Sequence, residues 1–128
     1  MKRTFFSLAL LLAVATLTAQ TKMTAREAAV KIADRILAST TYEFKNTKTG
    51  ETYKSVKKLP LDMDVKVACK YNNWHYTNGV TNMALMELGD KLGDKKYEKY
   101  VLKNMNFVFN EGNLDFFRKQ YDEAFKGD

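Results

Sequence analysis

Trp74-His75-Tyr76-Thr77-Asn78-Gly79-Val80-Thr81-Asn82-Met83-Ala84-Leu85-Met86-Glu87-Leu88-Gly89-Asp90-Lys91-Leu92-Gly93-Asp94 is the stretch on which the fold turns. Roughly Asn78 to Leu92 reads as a helix, with Val80, Met83, Ala84, Leu85, Met86 and Leu88 covering most of its circumference. A helix apolar nearly all round is expected to be buried on several sides. Gly93 suits the left-handed end of that helix, and Asp94 can cap the next one. The next helix, Asp94 to about Asn110, is different. Tyr97, Tyr100, Val101, Met105 and Val108 form one stripe, and Lys95, Lys96, Glu98, Lys99 and Lys103 form a wet face. Two helices joined through Gly93 alone must run antiparallel, as an αα-hairpin.

Working outward, Thr24-Ala25-Arg26-Glu27 is a capping box, so Thr24 and Glu27 can satisfy each other's backbone donors. Ala28, Ala29, Ile32, Ala33, Ile36 and Leu37 follow at helical spacing and predict an amphipathic helix ending near Ser39-Thr40. Beyond it, Tyr42, Phe44, Tyr53 and Val56 flank Asn46-Thr47-Lys48-Thr49-Gly50, the pattern of a small β-hairpin. Pro60 and the Val65/Val67 alternation read as irregular chain, part of a long first loop reaching Lys70. Leu114, Phe117, Tyr121 and Phe125 predict a short fourth helix. Three amphipathic helices can supply only some of the neighbours that the apolar helix needs. The pattern is that of the start of a larger helical assembly.

The 128 residues carry 21 Lys+Arg, 15 Asp+Glu, one His and one Cys, with 45% hydrophobic and 28% charged residues. That is one globular domain, with neither an internal disulfide nor a multi-cysteine or His-based zinc site. Lys2 and Arg3 precede an apolar run from Phe5 to Leu17 and then small residues, the organisation of a secretory signal. The expected signal is 1–19, cleaved before Gln20, although Ala13-Val14-Ala15 also fits the small-x-small rule and an uncleaved anchor helix is the rival. The remaining residues 20–128 are expected to be exported to the periplasm or the extracellular medium. No membrane association is expected after signal removal. Losing Lys2 and Arg3 lowers the formal net charge from +6 to +4. The other basic residues are scattered or lie on one solvated helix face, so nucleic-acid binding is not expected.

Trp74, His75 and Tyr76 are the densest cluster of unusual side chains. They stand where a helix N-terminus favours an anionic group, and an aromatic platform there could stack on a sugar ring. The alternative is structural, with Trp74 and Tyr76 stapling the helix entrance into the core. The carboxylates, among them Asp90, Asp94, Glu98, Glu111, Asp115, Asp122 and Asp128, occupy polar or terminal positions rather than apolar runs. None has the burial that would raise a pKa into the general-acid range. Cys69 reads as a small buried residue, and Asn82 needs a hydrogen-bond partner that the sequence does not name.

Trp74-His75-Tyr76-Thr77-Asn78-Gly79-Val80 resembles the W-x-Y-x-x-G-V motif of the unsaturated glucuronyl and rhamnogalacturonyl hydrolases, glycoside hydrolase families 88 and 105. The match continues through Ala84-Leu85-x-x-Leu88, Leu92-Gly93-Asp94-Lys95-Lys96-Tyr97-x-x-Tyr100, Asn104 and Phe107. Leu92-Gly93-Asp94 departs from the family's T-G-D turn at its first position. The Thr41–Ser55 segment and Phe116-Phe117-Arg118-Lys119-Gln120-Tyr121 are similar to segments of members with a long first loop.

The resemblance implies an all-α fold: helical hairpins beginning an (α/α)6 barrel, with a small β-hairpin-like insert in the first loop. Family domains run to roughly three times this length, so residues 20–128 would be their N-terminal portion. The chemistry it implies is hydration of the C4=C5 double bond of an unsaturated uronic acid, on an oligosaccharide left by a polysaccharide lyase. An Asp serves as the acid, no cofactor is involved, and the unsaturated sugar is released. By resemblance Tyr76, Trp74 and His75 line the substrate pocket, while the catalytic Asp lies outside this chain and the isolated 128-residue chain is inactive. The rival readings are a stand-alone exported helical carbohydrate-binding module and a helical protein–protein adaptor.

Overall fold

A computed structural model describes residues 23–126. The expected signal at 1–19 lies outside them. Among the described residues the fold is mainly helical: α1 (Ala25–Ser39), α2 (Tyr76–Leu92), α3 (Lys95–Val108) and α4 (Glu111–Ala124). Between α1 and α2 stand three short strands, β1 (Phe44–Asn46), β2 (Thr52–Tyr53) and β3 (Val65–Val67), and a 3₁₀ turn at Val56–Lys58. No helix among the described residues is long and apolar enough to cross a membrane.

The capping box forms as its sequence requires. Glu27 N–H donates to Thr24 Oγ1 at 3.2 Å, and Thr24 N–H donates to Glu27 Oε2 at 2.8 Å. At the other end of α1 the Thr40 hydroxyl donates to the Ile36 carbonyl and lies 2.9 Å from the Tyr100 hydroxyl. That contact ties the end of α1 to α3. Ala33 of α1 joins Leu85, Tyr97, Tyr100 and Val101 in one core. Tyr97 donates to Asp34 Oδ1 at 2.8 Å, and Lys96 pairs with the same oxygen at 2.9 Å.

The α2–α3 hairpin turns on Gly93, whose φ of 66° is the left-handed conformation that glycine adopts without a Cβ penalty. Asp94 N–H returns to the Gly89 carbonyl at 3.0 Å, and the Asp94 side chain accepts from Lys96 N–H at 3.0 Å. Gly89 permits the close crossing of α2 and α3. A Cβ there would stand 3.2 Å from the Asp94 carbonyl oxygen and 3.3 Å from Tyr97 Cβ.

Two expectations need correction. First, α2 is covered on one side only. It buries Asn78, Asn82, Leu85 and Gly89, while Val80 is 60% and Met83 73% exposed. A polar stripe is inside because Asn82 finds its partner there: Asn104 Nδ2 donates to Asn82 Oδ1 at 3.1 Å. Second, the Val65/Val67 alternation is a strand rather than irregular chain. β1 pairs antiparallel with both neighbours, in the order β2-β1-β3, with Phe44 opposite Tyr53 and Val67 and Asn46 opposite Val65. The expected hairpin is therefore two-thirds of a sheet. Its turn is local: Asn46 Oδ1 accepts from Lys48 and Thr49 N–H, and Gly50 takes a φ of 79°.

This sheet packs on α4 to make a second core of Phe44, Val65 and Phe116, flanked by Tyr53, Val56, Leu59, Val67, Phe107 and Phe117. The fourth helix begins at the Asn110 cap, earlier than its apolar spacing implied. Gln120, buried on α4, donates through Nε2 to the Val65 carbonyl at 2.9 Å and to the Asp62 carbonyl, pinning helix to strand.

Candidate functional site

The segment between β3 and α2 carries the aromatic cluster, and asparagine side chains hold its backbone. Asn78 Nδ2 donates to the carbonyls of Lys70 at 2.9 Å and Asn73 at 3.0 Å, and Asn104 Nδ2 donates to the Tyr71 carbonyl at 3.0 Å. Asn72 Nδ2 donates to the Thr41 carbonyl at 2.7 Å. Such amides satisfy buried carbonyls that neither helix nor sheet reaches. Cys69, within this segment, is buried, as expected of a small residue, and its Sγ accepts from Tyr71 N–H at 3.5 Å.

Held in this way, the loop turns its aromatic side chains outward. Trp74 is 61% exposed and Tyr76 80% exposed, so neither staples the helix into the core. The Trp74 and Phe109 rings lie 5.9 Å apart, and the His75 and Tyr76 rings stack at 5.0 Å with 30° between their planes. The N-terminus of α2 is partly satisfied already. His75 is its cap, with Nδ1 accepting from Thr77 N–H at 3.4 Å and lying 2.8 Å from the Thr77 hydroxyl. An accepting Nδ1 leaves the ring proton on Nε2. The dipole expected to attract an anion thus already faces an imidazole nitrogen.

Trp74 and His75 form a ridge between two grooves. One, of about 720 Å³, runs between β3 and α4, and Val65, Val67, Leu114, Phe117 and Arg118 are among the residues that line it. The other, of about 320 Å³, lies between the start of α2 and the end of α3 and includes Tyr76, Asn78, Gly79, Asn82, Asn104 and Phe109. Asn72 and Asn104 also carry fully buried Oδ1 atoms with no hydrogen-bond partner among the described residues. All three expected site residues meet at the second groove, and only Trp74 and His75 reach the first.

Sequence reasoning did not single out Lys66, Phe109 or Arg118 as site residues. Lys66 is the polar residue between two strand valines, and Arg118 follows Phe117 on α4, so each reads as an ordinary solvated side chain.

No carboxylate lines either groove. Several carboxyls elsewhere are held below the usual range by hydrogen-bonding cations: Asp34 by Lys96, Asp64 by Lys48, Glu87 by Lys91 and Asp115 by Lys119. A general acid needs the opposite shift. The site as built can stack, hydrogen-bond and attract an anion, and these carboxylates are not tuned to donate a proton. Comparisons with protein-family models, curated proteins and solved structures returned no match to this chain.

Proposed function

We propose that this chain recognises unsaturated uronic-acid oligosaccharides, as the exported N-terminal portion of an unsaturated uronyl hydrolase built as an (α/α)6 barrel. The observation that carries the reading is the exposure of Trp74 and Tyr76 on an asparagine-clamped loop, beside a groove lined by amides. Exposed aromatic rings flanked by fixed amide groups suit a sugar, which presents an apolar ring face and a hydroxyl edge. The barrel part of the reading draws on α2. Ile32, Val80 and Ala84 line a further groove of about 500 Å³ between α1 and α2, the kind of face that an inner helix of a barrel would bury. The acid that hydrates the C4=C5 bond is assigned to no residue of this chain.

Trp74 is the only tryptophan, so its fluorescence reports the site directly. Titrating the full chain with an unsaturated uronic disaccharide should give a saturable change in that fluorescence, without decay of the absorbance of the conjugated double bond. No saturable change at millimolar sugar overturns the binding reading, and clear decay overturns the assignment of the acid. A stand-alone carbohydrate-binding module is the second reading, favoured by the N-terminal caps of α1 and α3 and by the two cores that residues of several elements build. A sharp, cooperative thermal transition of the full chain supports that module, and a broad one supports the barrel portion.

A further inference from the structure

The strand register leaves one hydrogen-bonding edge of the sheet open. Thr47 N–H donates to the Asp64 carbonyl and Ala68 N–H to the Glu43 carbonyl, both at 2.8 Å, with Lys45 opposite Lys66 between them. In an antiparallel pair these bonded positions alternate with positions whose N–H and C=O point away from the partner strand. On β3, an edge strand, the outward positions are Val65 and Val67. The backbone groups of Val65 are engaged: its N–H donates to the Asp62 carbonyl at 2.9 Å, and its carbonyl accepts from Gln120 Nε2 at 2.9 Å. The N–H and C=O of Val67 have no partner among the described residues. Val65, Val67 and Gln120 all line the larger groove, so the open edge lies along it, facing the apolar side chains of Leu114 and Phe117.

We infer that the groove between β3 and α4 takes an extended apolar peptide, which lies beside β3 as an added strand and exchanges both backbone bonds of one residue with Val67. The partial charges select this occupant. A donor and an acceptor side by side on an edge strand are complemented by the acceptor and donor of another extended residue. A helix has its own N–H and C=O groups engaged internally, and an alkyl chain has neither. The residue opposite Val67 puts its side chain on the same sheet face as Val67, towards α4, and alternate residues repeat that direction. Every second side chain of the peptide must therefore be apolar. Gln120 stops the pairing at Val65, so the added strand is short. This site is separate from the smaller, amide-lined groove at which the sugar is placed, and it stands without that reading.

The probe is a capped five-residue peptide of alternating leucine and threonine, titrated into the full chain and followed by the fluorescence of Trp74, which also lines the groove. Two further peptides separate strand pairing from simple apolar contact. N-methylation of the three leucines removes every donor on the edge that would face Val67, and N-methylation of the threonines removes donors on the far edge only. The parent peptide should bind saturably, the threonine-methylated one about as tightly, and the leucine-methylated one about tenfold more weakly or worse. Val67→Pro deletes the N–H on the protein side without taking a bond from β1, and proline is tolerated at such edge positions. It should weaken the parent peptide by a similar factor while circular dichroism shows the variant folded. Equal affinity of the two methylated peptides overturns the inference whether or not Val67→Pro folds, and so does the absence of a saturable change at millimolar parent peptide. A folded Val67→Pro variant that binds the parent peptide unchanged also overturns it.

Discussion

Asn104→Ala should cost a substantial part of the stability of this chain. The Asn104 Nδ2 group donates twice, to the Tyr71 carbonyl at 3.0 Å and to Asn82 Oδ1 at 3.1 Å, and the residue is fully buried. Each neutral bond is worth about 1 kcal/mol net, and each acceptor left buried without a donor adds roughly another 1 kcal/mol. Against this, the variant also removes the unpartnered Oδ1 of Asn104, which returns about 1 kcal/mol. The balance is a loss of about 2–3 kcal/mol, a large share of the roughly 5–15 kcal/mol available to a domain of this size. For such a domain that corresponds to a fall in Tm of about 10 °C or more.

Urea and thermal unfolding of the full chain, followed by circular dichroism, measure this loss. Asn104→Asp sharpens the test because it preserves shape and presents an oxygen to two carbonyl oxygens, so it should be worse than alanine. A double-mutant cycle with Asn82→Ala should return a coupling of about 0.5–1 kcal/mol, since the two side chains share one bond. The variant should also release the Tyr71 carbonyl and change the environment of Trp74 before global unfolding. An Asn104→Ala protein melting within about 1 °C of the parent, or a cycle with no coupling, would refute the claim that asparagine amides hold this loop.

Two further expectations test the backbone and the pH response. Gly93→Ala should cost about 1 kcal/mol, because its φ of 66° penalises a Cβ, whereas Gly79→Ala, in ordinary helical backbone with nothing within 4 Å of the added Cβ, should gain roughly 0.5 kcal/mol; thermal melting reads the opposite signs. Gly79→Ala should nonetheless weaken sugar binding, since the new methyl intrudes on the smaller groove. Burial pushes the Tyr42 hydroxyl up to about 12 from 10.0, and burial also raises Tyr97 and Tyr100. The unfolded chain therefore loses the Tyr42 proton first, so the contribution of Tyr42 is complete below about pH 10 and disappears as pH rises towards 12. Tyr42→Phe should make the fall in Tm over that range shallower, and an unchanged slope refutes the assignment.

Local chemistry made much of the fold legible. The α1 capping box, the Gly93-Asp94 junction and the Asn46–Gly50 turn each depend on residues within a few positions of one another, and each forms as read. The third strand was not legible because Val65-Lys66-Val67 is too short to declare itself. Its status comes from pairing with β1 and from Gln120, both distant in sequence. The orientation of α2 was hidden for a different reason. When apolar residues surround a helix, hydrophobic periodicity has no direction, so the inner face is selected by the Asn82–Asn104 bond and the Gly89 crossing. The site divides in the same way: contiguous Trp74, His75 and Tyr76 stood out, whereas the larger groove beside them exists only where β3 meets α4.

These observations bear on how the chain spends its stability. Where its elements meet, local preference and packing agree: caps are filled, glycines stand at the left-handed positions, and the two cores are closed by residues from several elements. Around Trp74 and Tyr76 they disagree. Two large aromatic side chains forgo burial worth about 1.5–3 kcal/mol each, while Asn72 and Asn104 keep buried oxygens without partners beside the same groove. A sequence selected for stability alone would bury those rings and give those two oxygens donors. Under the proposed function, a ligand with a flat apolar face and hydrogen-bonding edges settles between the exposed rings and the amide-held loop. That is the physical ground for seeking the ligand at this ridge before any other part of the surface.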